Sequence, residues 1–312
     1  MTDSITLDPI TIDSITSFSR PSIECSILRL DKLHPIVSGN KWFKLRYYIE
    51  EAIAHKASTI ASFGGPYSNH LVALAYAAKQ NNLKSIGYVR ASKEDTLTPS
   101  LQEALAYGMH LEFMGRTNFQ KLKNEILKTN QHRSINLSNT NNNTDYKKGA
   151  IYFIDEGGYG LMGAKGAATI LNTQSKDYNT IIAAVGTGTM LAGLINAAEA
   201  HQHIIGIPVL KNENTIEDEI KSLLINKNTS FSLLHSYHLG GYAKTNPALF
   251  AFMNQLWTLE KIPTDIVYTG KLLLAVDSLL KENYFKEESK ILVIHSGGLQ
   301  GNRSLPLGTL LY

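Results

Sequence analysis

Two short stretches carry residue types that could do chemistry. The first is Ser38-Gly39-Asn40-Lys41, after which apolar residues at 43, 47 and 52–53 recur at helical spacing. Lys41 therefore falls where a loop tightens into the first turn of a helix. The helix dipole disfavours a cation there, and the same field, with burial, lowers a lysine's pKa and makes it a better amine nucleophile. Taken alone, the stretch also reads as a solvated surface lysine beside an ordinary helix start. The second stretch is Ile181-Ile182-Ala183-Ala184-Val185 running into Gly186-Thr187-Gly188-Thr189-Met190-Leu191-Ala192-Gly193. A strand that ends in small and hydroxyl-bearing residues at a helix start can hold a phosphate with backbone N–H groups and hydroxyls. No Gly-Lys-Ser/Thr follows, and Leu191 stands where a dinucleotide fingerprint needs its third Gly. A cup for a monoester phosphate fits better. The plainer alternative is a tight turn that packs helix on strand.

A nucleophilic lysine and a phosphate cup in one chain point to pyridoxal 5'-phosphate, held at its aldehyde by the lysine and at its phosphate by the cup. Both must be positioned by a scaffold, and the apolar pattern supplies one. Strands are expected at 23–30, 58–63, 84–89, 110–114, 151–154, 180–185, 204–207, 231–234 and 291–294. Helices are expected at 43–55, 71–79, 100–107, 119–127, 247–259 and 270–281. Residues 1–37 read as an extended arm plus one strand. Strand alternating with helix is the pattern of parallel sheets covered on both faces, an α/β fold. Glycine-bearing turns at 64–70, 156–163, 186–193 and 296–301 follow strands, and ligands gather at such ends of open parallel sheets. Residues 130–148 are polar and rich in Asn, and read as an exposed loop or a domain boundary.

Composition narrows the function classes. A chain of 312 residues suggests two compact domains, and 43% hydrophobic with 18% charged residues is ordinary for a soluble globular protein. A formal charge of +3, without clustered basic residues, gives no footprint for nucleic acid. The single Cys25 rules out an intramolecular disulfide and sits in an alternating run that reads as a strand. No His, Asp, Glu and Cys group has metal-ligand spacing, so no metal is expected. Residues 181–200 are apolar, but Gly186, Gly188, Gly193, Asn196 and Glu199 break them into strand, turn and helix, so no membrane span is expected. The first residues lack the basic and apolar regions of a signal peptide, and the expectation is a cytoplasmic protein.

Seven landmarks then fall in order: Ser38-Gly39-Asn40-Lys41 with Lys44-Leu45, Gly64-Gly65-Pro66-Tyr67-Ser68-Asn69, Asp155-Glu156-Gly157-Gly158-Tyr159, the loop 186–193, Gly241-Tyr242-Ala243, Val267-Tyr268-Thr269-Gly270-Lys271 and His295-Ser296-Gly297-Gly298. Together they resemble the 1-aminocyclopropane-1-carboxylate deaminase and D-cysteine desulfhydrase family of tryptophan-synthase-β-like (fold type II) pyridoxal enzymes, over nearly the whole chain. The resemblance implies two open parallel-sheet domains, a large one of 1–45 plus 150–312 that binds the cofactor and a small one of 46–149 on the substrate side. It also implies a homodimer acting on a small amino acid. Ser38, Trp42-Phe43, Tyr67 and Ala243 depart from the family pattern, more on the substrate side than on the cofactor side.

The resemblance implies roles as well. Lys41 forms the Schiff base and moves the proton at Cα, whereas the residues alone leave Lys44 as a rival. Asn69 hydrogen-bonds the cofactor's phenolic oxygen, although a plain helix cap is an alternative for it. Gly186, Thr187, Gly188 and Thr189 hold the phosphate. Ser68, Asn69 and His70 at a helix start suit a substrate carboxylate, beside Tyr67, where the deaminases carry Gln. Ser68, Tyr242 and Tyr268 are the further catalytic candidates. Among 15 tyrosines only motif context singles out the last two. His295 reads as a satisfied structural imidazole. Thr269 stands where the deaminases place a Glu that keeps the pyridine nitrogen protonated. A hydroxyl can only hydrogen-bond that nitrogen, which favours α,β-elimination of a good leaving group over cyclopropane opening. The resulting expectation is a D-cysteine desulfhydrase-like lyase yielding keto acid, ammonia and sulfide. The alternatives are a 1-aminocyclopropane-1-carboxylate deaminase, a pyridoxal-binding relative without this catalysis, and a protein that keeps the cup for a nucleotide or sugar phosphate.

Overall fold

The computed structural model describes residues 5–92, 97–129, 134–136, 150–211, 215–226 and 230–312. Two sheets organise them. The larger contains β1 (Ile12–Ser14), β2 (Ile23–Arg29), β8 (Thr180–Val185), β9 (His203–Pro208), β10 (Ser232–Leu233) and β11 (Ser289–His295), in the order β1-β2-β11-β8-β9-β10. The smaller contains β3 (Thr59–Gly64), β4 (Lys84–Arg90), β5 (Met109–Met114), β6 (Ser134–Asn136) and β7 (Ala150–Ile154), in the order β5-β4-β3-β7-β6. Among the strands of the described residues, only β1 on β2 and β6 on β7 run antiparallel; the other pairings are parallel. The sequence-based division places residues 150–154 in the large unit, yet β7 pairs with β3 in the smaller sheet. Of the polar stretch 130–148, residues 134–136 form β6, and the rest lies outside the described residues.

Parallel strands buried on both faces need apolar residues at every position rather than alternation. All six residues of β3 are buried, as are five of the six in β8. The helices that cover them are α1 (Asn40–Ala54), α2 (Asn69–Gln80), α3 (Pro99–Ala106), α4 (Arg116–Thr129), α5 (Leu161–Ala168), α6 (Thr189–Ala197), α7 (Ile216–Ser222), α8 (Pro247–Glu260) and α9 (Thr269–Lys281). One continuous core joins Leu45 and Ile49 of α1, Leu74 of α2, Ala167 of α5 and Leu194 of α6 with Ile154, Ile181 and Leu292 from both sheets. The far face of the larger sheet is closed by Leu272, Val276 and Leu280 of α9 over Ile27, Ile182 and Val293. On the far face of the smaller sheet Phe119 of α4 meets Phe63, Tyr88 and Phe153. Cys25 is buried in β2, where desolvation pushes its thiol up to about 12, out of reach of nucleophilic chemistry.

Two helix starts matter for the site. Gly39, at φ +65°, admits no side chain, because a Cβ would overlap the carbonyl of Ser296. That same carbonyl accepts from Asn40 N at 3.1 Å, so the loop after β11 satisfies the first N–H of α1. For α2 the cap is Ser68, whose Oγ accepts from Leu71 N at 3.3 Å; the capping role considered for Asn69 falls one residue earlier. Among the described residues no helix is long and apolar enough to cross a membrane.

Candidate active site

Lys41 is the second residue of α1. Its Nζ meets Asn40 Oδ1 at 2.8 Å and lies 5.9 Å from the centroid of the Tyr268 ring. Burial pulls its pKa down to about 8, against the opposing charge of Asp265. Lys44 follows one turn later and is only 4% exposed. Desolvation, and then the charge of Lys41, hold its ammonium well below the usual range. Across from them the imidazole of His70 is buried, with Nε2 2.8 Å from Ser62 Oγ and with Nδ1 lacking a partner. It too is held well below its ordinary pKa, by burial first and then by Lys44 and Lys41. Three basic groups thus crowd one spot and repel each other. Such an arrangement is stable when an anion supplies the missing charge.

The turn Gly157-Gly158 joins this spot to the glycine-threonine loop. A Cβ on Gly158 would lie 3.4 Å from Lys44 Cβ and 3.6 Å from His70 Cε1, while one on Gly157 would lie 3.0 Å from Thr187 Cγ2. Gly188, at φ +75°, turns the chain into α6 without a side-chain cap, so the first N–H groups of α6 are left for a ligand. Thr187 and Thr189 converge there, their hydroxyls 3.1 Å apart. Gly186 lies under the Tyr268 ring, a Cβ on it falling 3.2 Å from Cε1. Lysines 41 and 44, His70, the Gly157 turn and the loop 186–189 therefore form one basic pocket with a helix N-terminus at one end. A phosphate ester attached to an electrophile fits it.

The remaining candidates differ in burial and in partners. Asn69 Nδ2 donates to Gly298 O at 3.3 Å, and its Oδ1 is buried without a partner. Tyr67 is 45% exposed, at the rim. Tyr242 is 50% exposed, on a loop reached by the charges of Asp265, Glu156 and Arg90; desolvation, then the two carboxylates, raise its pKa. Thr269 is buried; its Oγ1 donates to Asp265 Oδ1 at 2.7 Å and accepts from Asp265 N at 2.7 Å. The single hydrogen of this hydroxyl is thereby committed to Asp265, and what it has left for a ligand is a lone pair. His295 is buried with both nitrogens occupied: Nε2 contacts Pro263 O at 2.7 Å and Nδ1 accepts from Gly297 N at 3.2 Å.

Sequence reasoning passed over one contributor, Asp265, and one property of another, the burial of Lys44. Asp265 accepts from the backbone N–H groups of Val267, Tyr268 and Thr269 as well as from the Thr269 hydroxyl, and so shapes the start of α9. An Asp a few residues before a helix is the available signal, since such side chains bond the backbone ahead of them. Lys44 was considered as a rival to Lys41, and only its burial beside His70 sets it apart as an anion partner.

The whole-chain comparisons agree with this chemistry. A putative 1-aminocyclopropane-1-carboxylate deaminase of Thermotoga maritima is 28% identical over 296 residues, covering 88% of each chain. A bifunctional D-cysteine desulfhydrase/1-aminocyclopropane-1-carboxylate deaminase of Arabidopsis thaliana is 27% identical over 290 residues, covering 85% of this chain and 70% of its own. The crystal structure of an ACC deaminase homologue superposes with a TM-score of 0.78 at 24% identity, covering 95% of this chain and 91% of that one. Residues 18–297 match the family of pyridoxal-phosphate dependent enzymes, so this chain belongs to that family and takes pyridoxal 5'-phosphate.

Proposed function

We propose that this enzyme is a lyase that releases ammonia from a small amino acid by α,β-elimination, with D-cysteine or a close analogue as substrate and keto acid and sulfide as further products. Relatives named for D-cysteine desulfhydrase and for 1-aminocyclopropane-1-carboxylate deaminase support this substrate class. The bound cofactor supplies an electron sink for the bond broken at Cα. Lys41 would hold it covalently and, as a free amine kept readily neutral by burial at a pKa of about 8, would move the Cα proton. Lys44, the Thr187 and Thr189 hydroxyls and the α6 N-terminus hold the phosphate. Ser68, Asn69 and the free nitrogen of His70 bind the substrate carboxylate at the start of α2, with Tyr67 at the rim. Asn69 holds the phenolic oxygen through its remaining amide hydrogen. Tyr242 and Tyr268 would act as proton donors or acceptors. The two sheets are the substrate-side and cofactor-binding domains, and the protein is a cytoplasmic homodimer.

The observation that carries the choice of reaction is Thr269. A neutral oxygen stands where the deaminases carry a carboxylate, and with its hydrogen given to Asp265 it can offer a ring proton only a lone pair. An interposed neutral group weakens stabilisation of a ring proton relative to a direct carboxylate. Elimination of sulfide tolerates a weaker sink; opening an unactivated cyclopropane does not. Keto-acid release from D-cysteine and from the cyclopropane amino acid, assayed side by side, tests this. Turnover of the first alone is expected, and turnover of the second alone would overturn the argument.

A further inference from the structure

Lys271 takes no part in the chemistry above, yet it is the third residue of α9 and 0% exposed. Burial and the positive end of the helix dipole both oppose an ammonium there. Its Nζ donates instead to the carbonyls of His238, at 2.9 Å, and Gly241, at 2.6 Å. Those carbonyls bracket a tight loop, whose Leu239 also packs on the apolar cluster around Leu249 and Ile266. Leu239, Gly240, Gly241 and Ala243 all have positive φ, at 53°, 94°, 121° and 52°, and two of them are not glycine. The loop's own bonds are local: Gly241 N to His238 O at 3.0 Å, Lys244 N to Gly241 O at 3.2 Å, and Gly240 N to His238 Nδ1 at 2.8 Å. Residues 242–246 are exposed. Tyr242 directly follows the second anchored carbonyl. Its phenol feels the charges of Asp265 before α9, Glu156 after β7 and Arg90 at the end of β4.

We infer that Lys271 is a positioning residue that clamps the loop 238–244 from beneath and thereby holds the Tyr242 phenol over the active site. The inference rests on the role proposed for Tyr242. One helical turn then serves two functions, because Thr269 bonds Asp265 on one side and Lys271 bonds the loop on the other. The clamp sets where Tyr242 stands; it does not touch the cofactor.

The test uses the cofactor-loaded protein with Lys271→Met, which keeps length and removes the donors, alone and combined with Tyr242→Phe. Tryptic cleavage after the exposed Lys244, followed by mass spectrometry, should speed up about tenfold or more in Lys271→Met, because cleavage tracks the population of the opened loop. Cofactor absorbance should persist. The fall in kcat/KM caused by Lys271→Met should shrink to about twofold or less in the Tyr242→Phe background, as coupling through that phenol requires. Unchanged cleavage, or the same fall in both backgrounds, overturns the inference. Lys271→Gln, which keeps one donor group, serves if the methionine variant does not fold; failure of both to fold also overturns it, since Lys271 is then a folding residue. If the wild type turns over no amino acid, the proposed reaction fails, while the cleavage rates still decide the clamp.

Discussion

At Lys41 the protein sets a basic nitrogen beside two others and within reach of a distant carboxylate, and its behaviour with pH follows. Its pKa is about 8 when folded and near 10.5 when exposed, so between those values the unfolded chain binds more protons than the native one. Stability of the cofactor-free protein therefore rises as pH increases from about 8 to about 10.5, because over that window the unfolded chain gives up a proton that the buried, already neutral amine does not hold. Lys271, also held near 8, adds in the same direction. Thermal melts of cofactor-free wild type and Lys41→Met across that window should show a steeper rise in the wild type; parallel curves would remove Lys41 from the account. Borohydride reduction of the loaded protein should fix the cofactor to Lys41 and not to Lys44, read by peptide mass. Lys41→Ala should lose both the adduct and the long-wavelength absorbance. The helix start at Lys41 could be read from its motif, since it is a local property. The burial of Lys44 could not, because His70 and Gly158 approach it from other elements.

Elements position these residues through two narrow joints. At the first, the hydroxyls of Thr187 and Thr189 complete the α6 N-terminus, and replacing both with valine keeps shape while removing the donors. Each charge-assisted hydrogen bond lost should cost about 1.5–3 kcal/mol of cofactor affinity. Unchanged affinity in a folded double variant, by equilibrium titration, would dismiss the cup. At the second, Gly39→Ala places a methyl on the Ser296 carbonyl at a positive φ, and should cost about 1–3 kcal/mol and displace Lys41. A melt together with cofactor titration measures both effects. Strands such as Ile181 to Val185 were legible because burial on both faces demands unbroken apolar runs. Helix α5 was not. Its Gly163 and Gly166 let it press on neighbouring backbones, the second against the Phe43 carbonyl, and small residues leave no apolar period to read. Strands β1 and β6, three residues each, are too short to show alternation.

The whole molecule places the site between its sheets, with Lys41, Lys44 and the loop 186–189 facing residues that follow β3 and β7. A ligand bound there stabilises both sheets together. Pyridoxal 5'-phosphate should raise the melting temperature in proportion to the logarithm of its concentration, and pyridoxal without phosphate should do so far less. Equal shifts would mean that the basic pocket does not read the phosphate. The α/β class followed from local patterns, whereas the strand order did not, because β2 pairs with β11 some 260 residues later and nothing local encodes that. This pairing bears on how the protein is made. During synthesis the strands from residue 59 to 154 can assemble early, as neighbours in the chain, while β2 waits with an open edge until Ser289 to His295 leave the ribosome. The residue just after that strand, Ser296, delivers the carbonyl on which the start of α1 rests. The nascent chain thus has no finished lysine site for a reactive aldehyde to find until β11 and Ser296 have been made.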